Sequence, residues 1–185
     1  MDYYLDILLK PDPEFPTPIL MNALFAKLHR ILAQLQSKEI GVSFPGIAER
    51  SLGSRLRLHG TSSGLEDLMA QRWLKGMHDY IEITDIQPVP EQAGYCRVQR
   101  VQAKSSAERL RRRYQKRHPE AQEDSLTDLI PDEVEHRLDL PYVRLKSWSS
   151  GQEFLLFIMQ SKSSEPSSGV FNTYGLSQSA TLPWF

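Results

Sequence analysis

The fold turns on Tyr3–Leu35, YYLDILLKPDPEFPTPILMNALFAKLHRILAQL. Within it the apolar period changes from two to the helical value, across a proline-bearing connection. Tyr3, Leu5, Ile7 and Leu9 face one way while Asp6 and Lys10 face the other, which predicts a half-buried strand. Pro11, Pro13 and Pro16 make a stiff link. Thr17 and Pro18 then fit the N-cap and first position of a helix. Its apolar side, Leu20, Leu24, Leu28, Ile31, Leu32 and Leu35, keeps the helical spacing.

Outward from that stretch, Glu39 to Phe44 reads as a strand closed by Pro45, and Arg55 to His59 as another ending at Gly60. Ser63 with Glu66 forms a capping box. It predicts a helix carrying Leu65, Leu68, Met69, Trp73 and Met77. Tyr80 to Thr84 reads as a fourth strand. The order β-α-β-β-α-β in about 85 residues is the ferredoxin-like split unit, an antiparallel sheet with two helices on one face. That arrangement hosts enzymes, regulators and RNA binders alike, so it leaves function open.

From Gln87 to Gly94 the chain turns polar and carries Pro88 and Pro90. The boundary predicted there gives an α+β protein with a ferredoxin-like domain at 1–93 and a second α+β domain at 94–185. The second domain opens with a strand at Cys96–Gln102, followed by a basic helix and an acidic connection. A second helix is expected near Leu126–Arg137. Tyr142–Trp148 and Glu153–Gln160 read as a hairpin around Ser149-Ser150-Gly151-Gln152. Ser161 to Gly169, SKSSEPSSG, reads as a mobile loop, and Val170–Tyr174 as a last strand.

Length and composition exclude several classes. A chain of 185 residues can bury a sizeable core. No apolar run approaches the ~20 residues of a membrane helix, and MDYYLDILLK lacks the basic region of a secretion signal. One cysteine, Cys96, excludes an internal disulfide and suits the reducing cytoplasm. The histidines are His29, His59, His78, His118 and His136. None shows metal-ligand spacing with another His or a Cys, so no metal centre or cofactor is expected.

The charge is distributed unevenly. Formal net charge is −1, yet nine of the 22 Lys and Arg fall in Arg97–Arg117: Arg97, Arg100, Lys104, Arg109, Arg111, Arg112, Arg113, Lys116 and Arg117. Only Glu108 opposes them within that span. Charge gathered so tightly repels itself unless a polyanion neutralises it, and nucleic-acid phosphate is the common one. Ser105 and Glu108 form another capping box, and Pro119 stops the helix. Ala107, Leu110 and Tyr114 give it a narrow apolar stripe. Arg109, Arg112, Arg113 and Lys116 then form one ridge. The ordinary alternative is a solvated helix face. The acidic segment Glu120, Glu123, Asp124, Asp128, Asp132, Glu133 and Glu135 is the competing partner.

An RNA substrate would bring its own nucleophile. His29 lies on the first helix, and imidazole exchanges a proton near pH ~6.5. A general base there could deprotonate a ribose 2′-OH. The 2′-oxygen would attack the adjacent phosphate, expel the 5′-oxygen and leave a 2′,3′-cyclic phosphate, with no metal or protein nucleophile. Ser147, Ser149 and Ser150 could orient the ribose, although serines are also ordinary turn residues. Tyr174 could buttress the site, and Phe154 could stack on a base. Each has a plain structural alternative as a packing residue.

Taken together these segments resemble the CRISPR repeat-processing endoribonucleases of the type I-F system, the Csy-type pre-crRNA nucleases. The resemblance spans nearly the whole chain. It rests on MDYYLDILLKPDPEFP, on IGVSFP at Ile40–Pro45, on RVQAKSSAERLRRR at Arg100–Arg113, on SWSSGQEF at Ser147–Phe154, and on YGLS with the Pro-Trp-Phe end. It implies metal-independent cutting at the 3′ base of a repeat stem-loop, with the basic helix in the major groove of that stem. It implies that the protein stays on its product as a subunit of the surveillance complex. By residue, it implies that His29 is catalytic, that Ser147 and Ser149 lie beside the cleaved nucleotide, and that Tyr174 is held against the histidine. Arg100 and Gln102 would read base edges, with the donor geometry suited to guanine and adenine. Arg112, Arg113, Lys116, Arg117 and His118 would face phosphates, and Phe154 would support the terminal base pair. Lys116 stands where the family carries arginine, and Trp148 where it carries glutamine. Two other readings stay open: an RNA-hairpin binder that has lost its cut, and an interaction protein whose basic helix meets an acidic chain.

Overall fold

The computed structural model describes residues 1–102, 107–119, 129, 138–147 and 151–185. The strands are β1 (Tyr3–Leu9), β2 (Gly41–Ser43), β3 (Arg55–Gly60), β4 (Ile81–Ile83), β5 (Gln87–Pro88), β6 (Gly94–Val101), β7 (Tyr142–Lys146), β8 (Glu153–Ser163) and β9 (Leu182–Trp184). The helices are α1 (Thr17–Gln34), α2 (Ser62–Ala70) and α3 (Ala107–Arg117), with a short 3-10 turn at His78–Tyr80. They form a mixed α+β protein with two antiparallel sheets. The first has the order β2-β3-β1-β4, with β5 also on β1; the second has the order β7-β8-β6-β9. Both sheets lie in one compact unit, Met1–Val101 with Leu140–Phe185, and Gln102–Asp139 forms another.

β1 is central because both of its faces are covered. Leu5, Ile7 and Leu9 are buried as their alternation demands. The half-buried expectation fails on the other face, where Asp6 is only 5% exposed. Arg57 explains why: it meets both oxygens of Asp6, at 2.7 and 2.9 Å, and its third donor reaches the Phe185 carbonyl at 3.0 Å. The guanidinium also lies over the rings of Tyr4 and Phe185. A buried carboxylate is tolerated when paired and hydrogen-bonded in this way.

α1 buries Leu20, Met21, Leu24, Phe25, Leu28, Ile31 and Leu32, each contributing roughly 1.5–3 kcal/mol against exposure. Its N-cap is Pro16, not Thr17, because the chain turns helical one residue early; no side chain caps it, and Pro18 still falls in the first turn. At the other end Gln36 takes φ 50°, Gln36 N–H donates to Ala33 O and Ser37 N–H to Leu32 O. That is a Schellman ending with glutamine where glycine is usual.

α2 departs further from expectation. Thr61 is the N-cap, accepting from Gly64 N–H at 3.1 Å. The Ser63–Glu66 box does not form; Glu66 instead accepts from Ser62 Oγ. The helix ends at Ala70, since Arg72 at φ 50° and Gly76 at φ 80° turn the chain. Trp73 and Met77 are buried all the same, from outside the helix.

In the second sheet β8 is longer than predicted. Ser161–Ser163 pair with Tyr95–Arg97, so the expected loop is shortened from its front. Its back is tied down as well, Thr181 N–H donating to Ser167 O at 2.9 Å. No strand forms at Val170–Tyr174, where Asn172 organises a turn. The last strand is β9, whose Pro183 is tolerated because β9 lies at the sheet edge. The expected helix near Leu126–Arg137 lies outside the described residues apart from Leu129, which is exposed.

The edge strand β2 is closed by the second half of the chain. Gln160 accepts from Phe44 N–H at 2.9 Å and donates to Phe44 O at 3.1 Å. Val42 N–H donates to Gly175 O at 3.0 Å. A Cβ placed on Gly41 would meet Leu182 and Phe171. This closure brings the Asn172–Leu176 turn against α1.

Candidate active site

His29 sits half-buried one turn after Phe25 on α1. Its Nδ1 lies 2.9 Å from Thr173 O. A carbonyl can only accept, so Nδ1 carries a proton, and in the neutral ring Nε2 then keeps the lone pair. The imidazole is thereby prepared as a proton acceptor at Nε2. Tyr174 stacks on it, with ring centroids 4.0 Å apart and planes at 17°. Phe25 lies parallel to Tyr174 at 6.5 Å, and Phe44 stacks on Phe25 at 6.1 Å. The column Phe44–Phe25–Tyr174–His29 joins the core to the histidine and limits its rotation.

The turn that presents Thr173 O is built by Asn172. Its Oδ1 accepts from Tyr174 N–H at 2.8 Å and from Leu176 N–H at 3.2 Å. Asn172 O accepts from Gly175 N–H at 2.8 Å. Gly175 has φ 71°, and a Cβ there would sit 2.7 Å from Val42 Cγ1, so only glycine fits both the turn and the approach to β2. Asn172, Thr173 and Gly175 escaped the sequence reading. The N-x-x-G spacing at Asn172–Gly175 is the available signal, against which Val170–Tyr174 is expected to be a strand.

Of the residues expected at the site, His29 and Tyr174 are brought together. Ser147 directly follows β7; its N–H donates to Gln152 O and its O accepts from Gly151 N–H, closing the hairpin. Ser149, Ser150 and Trp148 lie outside the described residues. Phe154 stands opposite Leu145 and is half-buried against the core. Arg100 stands opposite Ile158 on β6, and its carbonyl accepts from Gln178 Nε2 at 2.9 Å.

In the other unit Gln102 is exposed. Along α3, Leu110 and Tyr114 are half-buried while Arg112, Arg113, Lys116, Arg117 and His118 are exposed. Tyr114 and His118 stack at 4.4 Å, and His118 N–H donates to Tyr114 O. The side chain of Arg109, the capping serine and the acidic competitor fall outside the described residues.

Among the described residues, two titratable groups away from His29 have shifted pKa values. His59, fully buried, donates or accepts with Ser43 Oγ at 2.8 Å. Burial, helped by the Arg57 charge, pushes its pKa down to about 3. Burial pushes the Cys96 thiol up to about 12, which leaves it inert as a nucleophile. Among the described residues no three of His, Cys, Asp and Glu gather as metal ligands would. No described helix is long and apolar enough to cross a membrane.

Comparison with known proteins agrees with the resemblance in the sequence. The family described as CRISPR-associated protein (Cas_Csy4) matches residues 4–185. The chain is 48% identical over 191 residues to the CRISPR-associated endonuclease Cas6/Csy4 of Pseudomonas aeruginosa (strain UCBPP-PA14), with all of both chains covered. It is 46% identical over 186 residues to the protein of the same name from Escherichia coli (strain UTI89 / UPEC), again over the full length of both. A solved structure described as the CRISPR RNA processing endoribonuclease Cas6b aligns with 99% of the chain at a TM-score of 0.33 and 12% identity, a similarity too low to bear on the fold.

Proposed function

The chain belongs to the CRISPR-associated Cas_Csy4 family, and from that membership we propose that it cuts CRISPR precursor RNA at the 3′ base of each repeat stem-loop without a metal. The observation that carries the chemistry is the Nδ1–H bond from His29 to Thr173 O, which leaves Nε2 to accept a proton. His29 Nε2 takes the proton of the 2′-OH just upstream of the cleaved phosphate. The 2′-oxygen forms a bond to phosphorus as the bond to the 5′-oxygen breaks. The products are a 2′,3′-cyclic phosphate and a 5′-OH, the leaving oxygen taking up a proton. Such proton transfer is worth about 10²–10⁴ in rate.

Ser147 is assigned to the ribose, with Ser149. Two offsets support its nearness to His29. β7 is anchored on α1 where Arg144 N–H meets Asn22 Oδ1 at 2.9 Å. Tyr142 lines a cleft with Pro18 and Ile19, so β7 starts beside the start of α1 and runs the same way. From that anchor His29 lies roughly 10 Å further along the helix and Ser147 roughly 10 Å further along the strand. Tyr174 holds the imidazole plane.

The remaining roles concern grip. Arg100 and Gln102 read base edges at the foot of the stem. Arg109, Arg112, Arg113, Lys116, Arg117 and His118 meet phosphates along its major groove, and Phe154 supports the terminal pair. The order β2-β3-β1-β4, with α1 and α2 as the crossovers, supports a ferredoxin-like reading of 1–93. Residues 94–185 then act as the RNA-binding part. The protein stays on the cut RNA in the cytoplasm, within the surveillance complex.

Incubation with a labelled repeat stem-loop in EDTA tests this reading. The expected result is cleavage with a cyclic phosphate on the upstream product, and none when the upstream ribose is 2′-deoxy. A 3′-hydroxyl product or an absolute need for Mg²⁺ would refute the mechanism. Binding without cleavage would leave a hairpin binder instead.

A further inference from the structure

The segment from Asn172 to Gln178 does more than present the carbonyl that holds His29. Thr173 O accepts from His29 Nδ1, and Gly175 O accepts from Val42 N–H on β2. The far end of the segment meets β6. Ser177 N–H donates to Val98 O at 3.0 Å, and Gln178 Nε2 donates to Arg100 O at 2.9 Å. Carbonyls two residues apart on a strand face the same edge, here the edge that β9 pairs with from Gly94 to Cys96. Where β9 stops, a backbone donor and then a side-chain donor continue along that edge. Ser177 is buried and held, its Oγ donating to Val170 O and accepting from Ala180 N–H, both at 2.9 Å. Gln178 is exposed.

A carbonyl within reach of solvent is served almost as well by water, so the Gln178 amide adds little to stability. What it adds is a fixed position. Arg100 O is tied to a segment whose other tie is the imidazole of His29. Thr173 and Gln178 are five residues apart, so their Cα atoms are at most about 18 Å apart. The two tied residues also share a side of the molecule. Arg100 stands opposite Ile158, and Val98 opposite Gln160, so alternation puts Arg100, Val98 and Gln160 on one face of the sheet. Gln160 bonds the backbone of Phe44, whose ring stands at the far end of the column that finishes at His29.

We infer that Gln178 is a positioning residue that couples the reading of the stem to the cut. It holds the Arg100 backbone to the segment that holds His29, and so sets the distance from the base edge that is read to the phosphate that is attacked. This coupling rests on the assignments proposed above, Arg100 to a base edge and His29 to the 2′ proton. A misplacement of about 1 Å can cost ~10²-fold in rate, so a tie between the two places rewards the stem that Arg100 recognises. The phosphate grip of α3 does not pass through Gln178, so overall affinity is independent of it.

The test uses full-length protein at saturating enzyme in single turnover, with the cognate stem-loop and with one whose lowest base pair is changed. Gln178→Ala should slow the cognate cut about 3- to 10-fold, the size of one lost hydrogen bond. The slower cut of the changed stem should stay as it is, so the ratio between the two narrows. Affinity for both stem-loops and the urea melt should not move, which a merely structural role would not allow. Gln178→Glu keeps the length but offers a carbonyl only acceptors, and should lose at least as much as alanine. Gln178→Lys restores a donor and should recover most of the rate. Arg100→Ala is measured beside them. If Arg100→Ala selectively slows the cognate stem while Gln178→Ala slows both stems equally or neither, or Gln178→Glu cuts like the unaltered protein, the coupling is overturned. If Arg100→Ala costs the same on both stems, base reading by Arg100 falls and takes the coupling with it.

Discussion

At the scale of single residues, two histidines have opposite surroundings: one is proposed for chemistry and the other bears on stability. His29 is half-buried with one nitrogen committed to Thr173 O. His29→Ala should lower single-turnover cleavage by at least about 10²-fold while RNA affinity changes only a few-fold, as filter binding and gel assays will show. The rate of the unaltered enzyme should rise with pH and then level, because acid removes the accepting form. A rate falling steadily from acid to alkaline pH would reassign His29 as an acid. His59 has no route to substrate, being buried against Ser43. Its folded pKa is about 3 against 6.5 unperturbed, so between those values the unfolded chain binds a proton that the folded one refuses. Stability should be full above pH 6.5 and fall below it, by up to ~1.4 kcal/mol per pH unit toward pH 3. Urea melts of His59→Asn should lack that increment, and equal pH slopes for the two proteins would contradict it. His29 stood out in the sequence only through the resemblance, since a lone helical histidine carries no mark. Asn172 and Gly175, which hold its carbonyl partner, carried a turn signal that was visible and misjudged.

Elements were legible in proportion to their length and period. The body of α1 is legible because seven buried residues repeat the helical spacing, although its N-cap is Pro16 and not Thr17. Its C-terminal ending is not, because glutamine rather than glycine takes the left-handed position. α2 was misjudged at both ends: several hydroxyl residues compete to cap it, and buried Trp73 and Met77 imitate helical spacing from outside it. β9 escaped because proline argues against a strand unless the edge position is known. α3 forms where the basic run predicts it, with Tyr114 and His118 stacked across its last turn. Replacing Arg112 and Arg113 by Ala should weaken binding to all hairpins alike. The slope of log K against log salt should shrink by up to about one per lost phosphate contact. Arg100→Ala should instead cost more on the cognate stem than on a mutated one, measured by competition. Equal losses on both stems would remove Arg100 from base reading.

At the scale of the whole molecule, the two sheets were foreseeable and their joining was not. Alternation predicts strands but says nothing of Gln160 pairing with the backbone of Phe44, or of Arg57 held among Asp6, Tyr4 and Phe185. Such contacts depend on partners 51 to 128 residues away in sequence. Arg57→Met should destabilise the protein by about 3–5 kcal/mol, because Asp6 is left charged and buried. Adding Asp6→Leu should restore much of that loss in urea melts. No recovery in the double variant would mean that Arg57 acts mainly through its rings and the Phe185 carbonyl. The bond that orients His29 has a consequence in time. Its donor and acceptor are 144 residues apart in sequence. A growing chain therefore makes its histidine early and must wait for nearly all the rest before the ring acquires a fixed tautomer. On the proposed mechanism, a nascent chain until then carries the base without the geometry to use it, so cutting should start only once synthesis has passed Thr173 and the late turn has docked.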